Sequence, residues 1–535
     1  MSAQLALAAA AFALLAQILY SFVRWIRSPL RSVPGPSLAR FTDFWYFHRL
    51  KQGGFEKVNQ KLHEQYGRSK HQAAASIMDT YVSRFSPGPI VRYGPNRYSI
   101  NDTEALKTVY GHGPEFPKSK WYISFQPNEE LWNLFSERSA KRHARNRRFY
   151  TNAYSMTSLI SYESYVDECS ALFAQRLSEF SKARATMDIG HWFQCYAFDT
   201  IALMTYGKRL GFLDRGEDVA HVIDNLNQSL VYMSLAGIFP WVHTYITPIL
   251  NKVVPSLSMG AKLLYILSFT AKTIEEEKAS PKPVIDVEGA EDSVAVGEAF
   301  LTKFLAKHSS NADEFTQWHL LNGCMSNMVA GSDTTGISIS AILYNLLQNP
   351  DTMAKLREEL ADFTSRGELS QSPTFKESQK MPYLQAVIKE ALRVHPAVGL
   401  PLERIVPAGG VTIGGRFFPA GSVVGINGWV QHRNKAFFGE DADSFNPDRW
   451  LIEDEQRLSA MNRNWMPFGL GSRTCIGKNV SILEMSKLIP RIIRDFDFKL
   501  EGDAAAPGGT WKTHNAWFVK PQGFRVSVKP RTSSY

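Results

Sequence analysis

One cysteine stands where sulfur chemistry is possible. Cys475 lies in Phe468-Gly-Leu-Gly-Ser-Arg473-Thr-Cys475-Ile-Gly477, and an apolar-periodic run, 479–494, follows at once. Gly469, Gly471 and Gly477 permit positive φ and let a flat partner approach the backbone. A sulfur at a helix N-terminus, with N–H groups aimed at it, is biased towards thiolate. Arg473 adds a cation suited to a carboxylate. A buried structural cysteine in a glycine-rich turn is the plainer reading of the same residues. A second stretch, Ala330-Gly331-Ser-Asp333-Thr334-Thr335-Gly336, falls halfway along a helical pattern over 315–347. Threonine hydroxyls there can bond back to the preceding turn's carbonyl, bending the helix and opening a polar notch. A tolerated kink is the alternative. Two further sets carry charge at helical spacing. Arg138 to Arg148 is strongly basic, most of it readable as a solvated helix face, and Glu390 and Arg393 share a face at i,i+3.

The elements that must position these residues are mostly helical. The 315–347 pattern spans roughly 50 Å and stops at Asn349-Pro350, a cap followed by a helix start. Helical patterns fill 155–275, and a polar, breaker-rich run over 278–298 reads as a surface loop. Strands are expected around Ile90–Tyr93 and Arg97–Ile100, joined by Gly94-Pro95-Asn96, and again through Phe417–Ile426. Ala3–Val23 is almost wholly apolar and as a helix would run about 31 Å, enough to cross a hydrocarbon core. No Lys or Arg precedes it, whereas Arg24, Arg27 and Arg31 follow, so the N-terminus is expected on the lumenal side. The expected organisation is an anchor over 1–24, a basic, proline-rich linker over 25–36 and one large domain over 37–535. Four cysteines without paired spacing argue against a disulfide framework or a zinc site. A net charge of +9 without a long basic run speaks against nucleic acid and for anionic lipid or an acidic protein partner.

The loop pattern Phe-Gly-x-Gly-x-Arg-x-Cys-x-Gly resembles the haem-binding signature of the cytochrome P450 family. That resemblance implies a mainly α fold with a minor β region, preceded here by one N-terminal transmembrane helix. It implies haem b with Cys475 as the iron's axial ligand, Arg473 on a haem propionate, Phe468 packed against the sulfur side and Gly469 beside it. The run at 330–335 resembles the family's oxygen-side helix. Thr334 is then the residue that manages dioxygen and its protons, Asp333 the one that feeds protons from solvent, and Ala330 and Gly331 those that keep that side open. His143 and Arg147 fall where the family carries Trp-x-x-x-Arg against a propionate; Arg147 matches and His143 departs. Arg404 falls at another propionate position. Glu390, Arg393 and Arg449 resemble a buried structural network. Trp121, Phe125, Val398, Leu400 and Trp517 fall in segments that line the substrate pocket, and 233–241 in one that dips into the membrane. Lys118-Ser-Lys-Trp121 with His143–Arg148 resembles the fungal pisatin-demethylase-like branch.

The implied activity is monooxygenation of a hydrophobic small molecule, a fungal secondary-metabolite intermediate, with O2 as co-substrate. Electrons would come from NADPH through NADPH–cytochrome P450 reductase, with cytochrome b5 as a second donor, on an endoplasmic reticulum membrane with the catalytic domain cytosolic. A haem-thiolate isomerase or dehydratase, or a non-catalytic haem-binding relative, are the rival readings; both classes tolerate loss of the threonine that Thr334 retains. In family members Tyr-Gly runs directly into Pro-Ile-Val-Arg, but here residues 68–88 intervene between Gly67 and Pro89. A translated intron explains the interruption, and a loop peculiar to this chain is the alternative.

Overall fold

The computed structural model describes residues 19–67, 90–111, 116–128, 130–253, 260–279, 298–505 and 511–531. Helices α1 (Phe44–Lys51) and α2 (Phe55–Gly67) precede strands β1 (Ile90–Gly94) and β2 (Arg97–Ile100). Then come α3 (Ala140–Thr151), α4 (Glu163–Ala183), α5 (Ile189–Tyr206) and α6 (Val222–Ala236). The centre of the chain is α7 (Gln317–Gln348), followed by α8 (Pro350–Ser365) and α9 (Pro382–Val394). Strands β3 (Arg404–Ile405) and β4 (Val423–Gly425), helix α10 (Lys478–Asp495) and the hairpin of β5 (Lys512–Ala516) and β6 (Phe518–Gln522) complete the site-bearing elements.

Everything is hung on α7. Its 32 residues span about 48 Å, and Thr316 and His319 form a capping box at its start. Residues around its whole circumference are buried, as expected of a helix running through a core rather than over it. Glycines would weaken such a helix in isolation. They persist because α5 lies against it: a Cβ at Gly331 would come within 3.0 Å of Ile201, and one at Gly336 within 3.1 Å of the Gln194 backbone. One apolar core gathers on the side of α7 that faces α5 and α6, and a second packs α7 against α4, α9 and α10.

The β1, β2, β4, β3 sheet is short, with β2 and β4 parallel and the outer pairs antiparallel. The segment before β3, 397–403, does not extend the strand, because Pro401 has no N–H to give a ladder. Its upstream part is tied instead by one bridge, Val398 to Phe518. The 417–426 alternation resolves into a small hairpin, Val411–Ile413 with Arg416–Phe418, and β4.

The N-terminal anchor, the 68–88 interruption and most of the 278–298 loop lie outside the described residues. Among the described residues no helix is long and apolar enough to cross a membrane. Helical residues 19–27 do leave Leu19, Tyr20, Phe22, Val23 and Ile26 exposed. The 233–241 stretch is not a loop throughout: it begins as the end of α6 and leaves Trp241 56% exposed, beside exposed Tyr245, Ile249 and Leu250.

Candidate active site

The cysteine loop is built by turns that only glycine can make. Gly469 and Gly471 sit at φ 68° and 61°. A Cβ at Gly471 would lie 1.8 Å from the Tyr110 carbonyl oxygen, so any larger residue would push the loop off its support. Cys475 N–H donates to Phe468 O at 2.8 Å and Thr474 N–H to Gly471 O at 3.1 Å, closing the loop just before α10. Of the four cysteines, Cys475 alone is exposed; Cys169, Cys195 and Cys324 are buried. Burial of its surroundings raises the Cys475 thiol, while the N–H groups of Gly477 and Lys478 and the charges of Arg147 and Lys478 pull it down. The thiolate bias expected from the helix start is thus present but outweighed by desolvation, and a bound cation such as a metal would reverse that balance. Phe468 packs edge-on against Trp465, with ring centroids 6.0 Å apart.

On α7, Thr334 Oγ1 donates to Ala330 O at 2.7 Å, the back-bond that the sequence suggested. Ala330 is exposed in the middle of this otherwise buried helix, and Thr334 is partly so. The notch therefore opens onto space. The missing side chain of Gly331 makes room for Ile201 of α5, and Gly331 itself stays half-buried beside exposed Ala330 and partly exposed Thr334. Asp333 also departs from expectation. Instead of reaching solvent it is 1% exposed, with Oδ1 accepting from Gln194 Nε2 on α5 and Oδ2 2.7 Å from Lys520 Nζ on β6.

A ring of basic side chains collects near the cysteine loop. Arg147 donates from Nη1 to Thr474 O at 2.8 Å, pinning α3 to the loop. His143, one turn earlier on α3, is buried, and burial together with Arg473, Lys118, Arg147 and Arg404 pushes its imidazole down to about 3. Lys118 is buried as well; desolvation, then Arg404 and Arg473, hold its ammonium well below the usual range. Its hydrogen bond goes to Phe135 O, and Arg404 bonds Glu403 O at 2.9 Å. The Glu403 carboxylate itself turns to Arg97, Ser119 and Tyr93. Lys118 and Arg404 are buried, Arg147 and Arg473 are half-buried, and a neutral His143 still has an N–H to donate, so this region lacks negative charge and an anionic partner would relieve it. The two propionates of haem are such a partner, so the residues present fit that group. Lys118 was not singled out as one of these basic groups from the sequence, although it opens the Lys118–Trp121 stretch; its basic side chain among aromatics was the available signal. Most other charges of α3, including Lys141, Arg145 and Arg148, face solvent, as a plain helix surface would.

Three residues expected in the pocket do meet. Trp121 lies 4.8 Å from Phe125 and 5.0 Å from Trp517, and Phe125 lies 6.0 Å from Trp517, between ring centroids. Phe135 and Tyr122 complete this aromatic wall. Trp517 forms the tip between β5 and β6 at φ 81°, a strained setting for a bulky residue. Its carbonyl accepts from Gly399 N–H at 2.9 Å, which holds the 397–400 segment, with Val398 and buried Leu400, beside it. Further back, Glu390, Arg393 and Arg449 form the buried network: Glu390 meets Arg393 at 2.8 Å and Arg449 at 2.9 Å.

A helical fold that holds one accessible thiol, a notched helix and a set of basic side chains beside the thiol loop has the parts of a haem-thiolate protein. The comparisons agree. The Cytochrome P450 family model matches residues 62–522. A pisatin demethylase of Fusarium vanettenii is 36% identical over 509 residues, covering 95% of this chain and 91% of the relative. A cytochrome P450 monooxygenase of Aspergillus terreus is 34% identical over 478 residues, covering 88% and 91%. The chain belongs to the cytochrome P450 family. It is an oxygen-incorporating oxidoreductase, and the family's chemistry uses haem, O2 and electrons from a reductase.

Proposed function

We propose that this chain is a membrane-bound monooxygenase that oxidises a large, apolar small molecule, a fungal secondary-metabolite intermediate. The overall reaction consumes the substrate C–H, O2, two electrons and two protons, and yields the hydroxylated product and water. The observation that carries this reading is the single accessible thiol, Cys475, in a loop flanked by basic side chains, together with the notch at Ala330 and Thr334. Bound haem supplies the O2-activating chemistry. Cys475 would ligate its iron, and Lys118, His143, Arg147, Arg404 and Arg473 would hold its propionates. Thr334, freed from its bond to Ala330 O, has a hydroxyl to offer protons, with Asp333 behind it as their source. Trp121, Phe125, Val398, Leu400 and Trp517 give an apolar wall against which a substrate is oriented and water excluded. Retention of Thr334 favours this reading over a haem-thiolate isomerase or dehydratase.

Electron delivery is proposed to come from NADPH–cytochrome P450 reductase, with cytochrome b5 as a second donor. Behind the cysteine loop a groove of about 510 Å³ is lined by Lys389, Trp465, Phe468 and Lys478, a basic and aromatic surface suited to an acidic partner. The exposed apolar residues at 19–26, with Phe44, Trp241, Tyr245 and Ile249, support contact with a bilayer, placed here at the endoplasmic reticulum with an N-terminal anchor.

The test is the difference spectrum of the reduced protein with carbon monoxide, beside a Cys475→Ser control. A strongly red-shifted thiolate-type Soret band, lost in the control, is expected. A band of the same position in both proteins would refute Cys475 as ligand. Sequencing cDNA across residues 68–88 tests the intron reading, and mature message that carries the segment would end it.

A further inference from the structure

We propose that Lys520 is a positioning residue that ties the proton supply at Asp333 to the roof of the pocket. The inference rests on the reading of Asp333 as proton source and adds what governs it. Asp333 is sealed between three elements, and its side chain has no exposed surface. Gln194 on α5 occupies Oδ1. Oδ2 meets the Lys520 ammonium at 2.7 Å without the alignment of a hydrogen bond, and 22% of the Lys520 side chain is exposed, beside half-buried Gln194 and Asn227. The same ammonium donates to Asn227 Oδ1 on α6. One cation therefore joins α7, α6 and the β5–β6 hairpin.

Those three elements surround the aromatic wall. At its other end α6 is held by Trp121 Nε1 donating to Ser234 O at 3.1 Å and by Ser124 Oγ donating to Met233 O at 2.6 Å. The hairpin tip, Trp517, stacks on the same Trp121. A ligand that wedges between α6 and Trp517 displaces one or the other, and Lys520 then cannot keep both Asn227 and Asp333. With Lys520 drawn away, an oxygen of Asp333 is released from its charge partner and is free to turn towards the Thr334 notch. Two discrete arrangements result, latched and released, and substrate biases them only through its contacts with α6 and the hairpin. The coupling would keep protons from the O2-binding side until the pocket is filled.

The experiment uses the full haem-loaded chain with its reductase. Deuterium uptake is followed across 222–236, and hydrogen peroxide released per NADPH oxidised is measured without substrate. Lys520→Met is expected to speed exchange in α6 by about tenfold and to change the peroxide fraction, while Lys520→Arg keeps both near wild type. Asn227→Ala, which leaves the buried carboxylate paired and so spares folding, is expected to speed α6 exchange as well. The effect of Lys520→Met on peroxide should vanish on an Asp333→Asn background. Wild-type exchange rates in both Lys520→Met and Asn227→Ala would overturn the link. So would a peroxide effect of Lys520→Met that persists without the Asp333 carboxylate. An Asp333→Asn enzyme with an unchanged peroxide fraction would instead overturn the proton-source reading, which the exchange data do not touch.

Discussion

Replacing Glu390 by Gln removes the one full negative charge at the centre of a sealed cluster. Its carboxylate accepts five hydrogen bonds: two from Arg393 at 2.8 Å, and one each from Arg449, Trp450 Nε1 and the Asn446 N–H at 2.9 Å. Arg393 is wholly buried, and its other donors go to the backbone oxygens of His432, Ala442 and Ser444. Asp441 offsets part of the Arg449 charge from a half-exposed position, so Glu390→Gln leaves one buried guanidinium without a counter-charge. Stranding a buried charge costs about 3–5 kcal/mol. A second route gives a similar figure: glutamine has one acceptor oxygen, so at least two charge-assisted bonds at ~1.5–3 kcal/mol each are lost. Either value is a large share of a typical stability of about 5–15 kcal/mol. In guanidinium unfolding of the purified protein the midpoint should fall by about 1 M. A triple change of Glu390, Arg393 and Arg449 to methionine should cost less than Glu390→Gln alone, because it removes the desolvated charges together. A Glu390→Gln midpoint within ~0.2 M of wild type would refute the stranded-charge argument, given that typical slopes make that difference under ~1 kcal/mol.

His432 is held neutral, with Nδ1–H donating to Arg393 O and Nε2 accepting from Met466 N–H, and burial pushes it down to about 3. The unfolded chain takes up this proton near pH 6.5 and the folded chain does not, so stability is present above ~6.5 and declines as pH falls towards 3. At pH 5 the loss from this residue is about 2 kcal/mol; His432→Gln should flatten the difference in unfolding free energy between pH 7.5 and 5 by that amount, and an unchanged slope would count against it. At the hairpin tip, Trp517→Gly should be more stable than Trp517→Ala by about 1 kcal/mol, since alanine keeps the positive-φ strain that glycine relieves; equal melting temperatures would contradict this. Lys118→Met should raise the melting temperature of haem-free protein by removing a desolvated like charge, yet speed haem transfer to apomyoglobin. Slower or unchanged transfer would remove Lys118 from the haem-holding set.

Much of the site was legible because its parts are local. The cysteine loop, the Ala330–Gly336 notch and the Glu390–Arg393 pair are each set by residues within ten positions, and their turn and spacing rules act over that range. The boundaries of α7 fell within two residues of expectation for the same reason: capping and proline signals mark them. What the sequence hid was set by partners far along the chain. Gly331 looked like a means of keeping space open, but its neighbour is Ile201, 130 positions away. The family resemblance implied an Asp333 that draws protons from solvent; the seal comes from Gln194 and Lys520, which carry no motif. Lys118 read as part of a family-like stretch, and only the fold set it beside Arg404 and Arg473.

Ala330 is the position where this molecule leaves latitude for change. Its neighbours are fixed: Gly331 by α5, Ser332 and Asp333 by burial, Thr334 by its bond to Ala330 O. At Ala330 the backbone is helical, alanine is the least demanding helix former, and the side chain points into open space. If the notch faces the substrate, as proposed above, a lineage or an engineer wanting to redirect which carbon is attacked has a dial here with little structural penalty. Valine or leucine there would narrow the space over the helix while leaving its buried neighbours untouched. Divergence of product outcome among proteins of this build can begin at one codon.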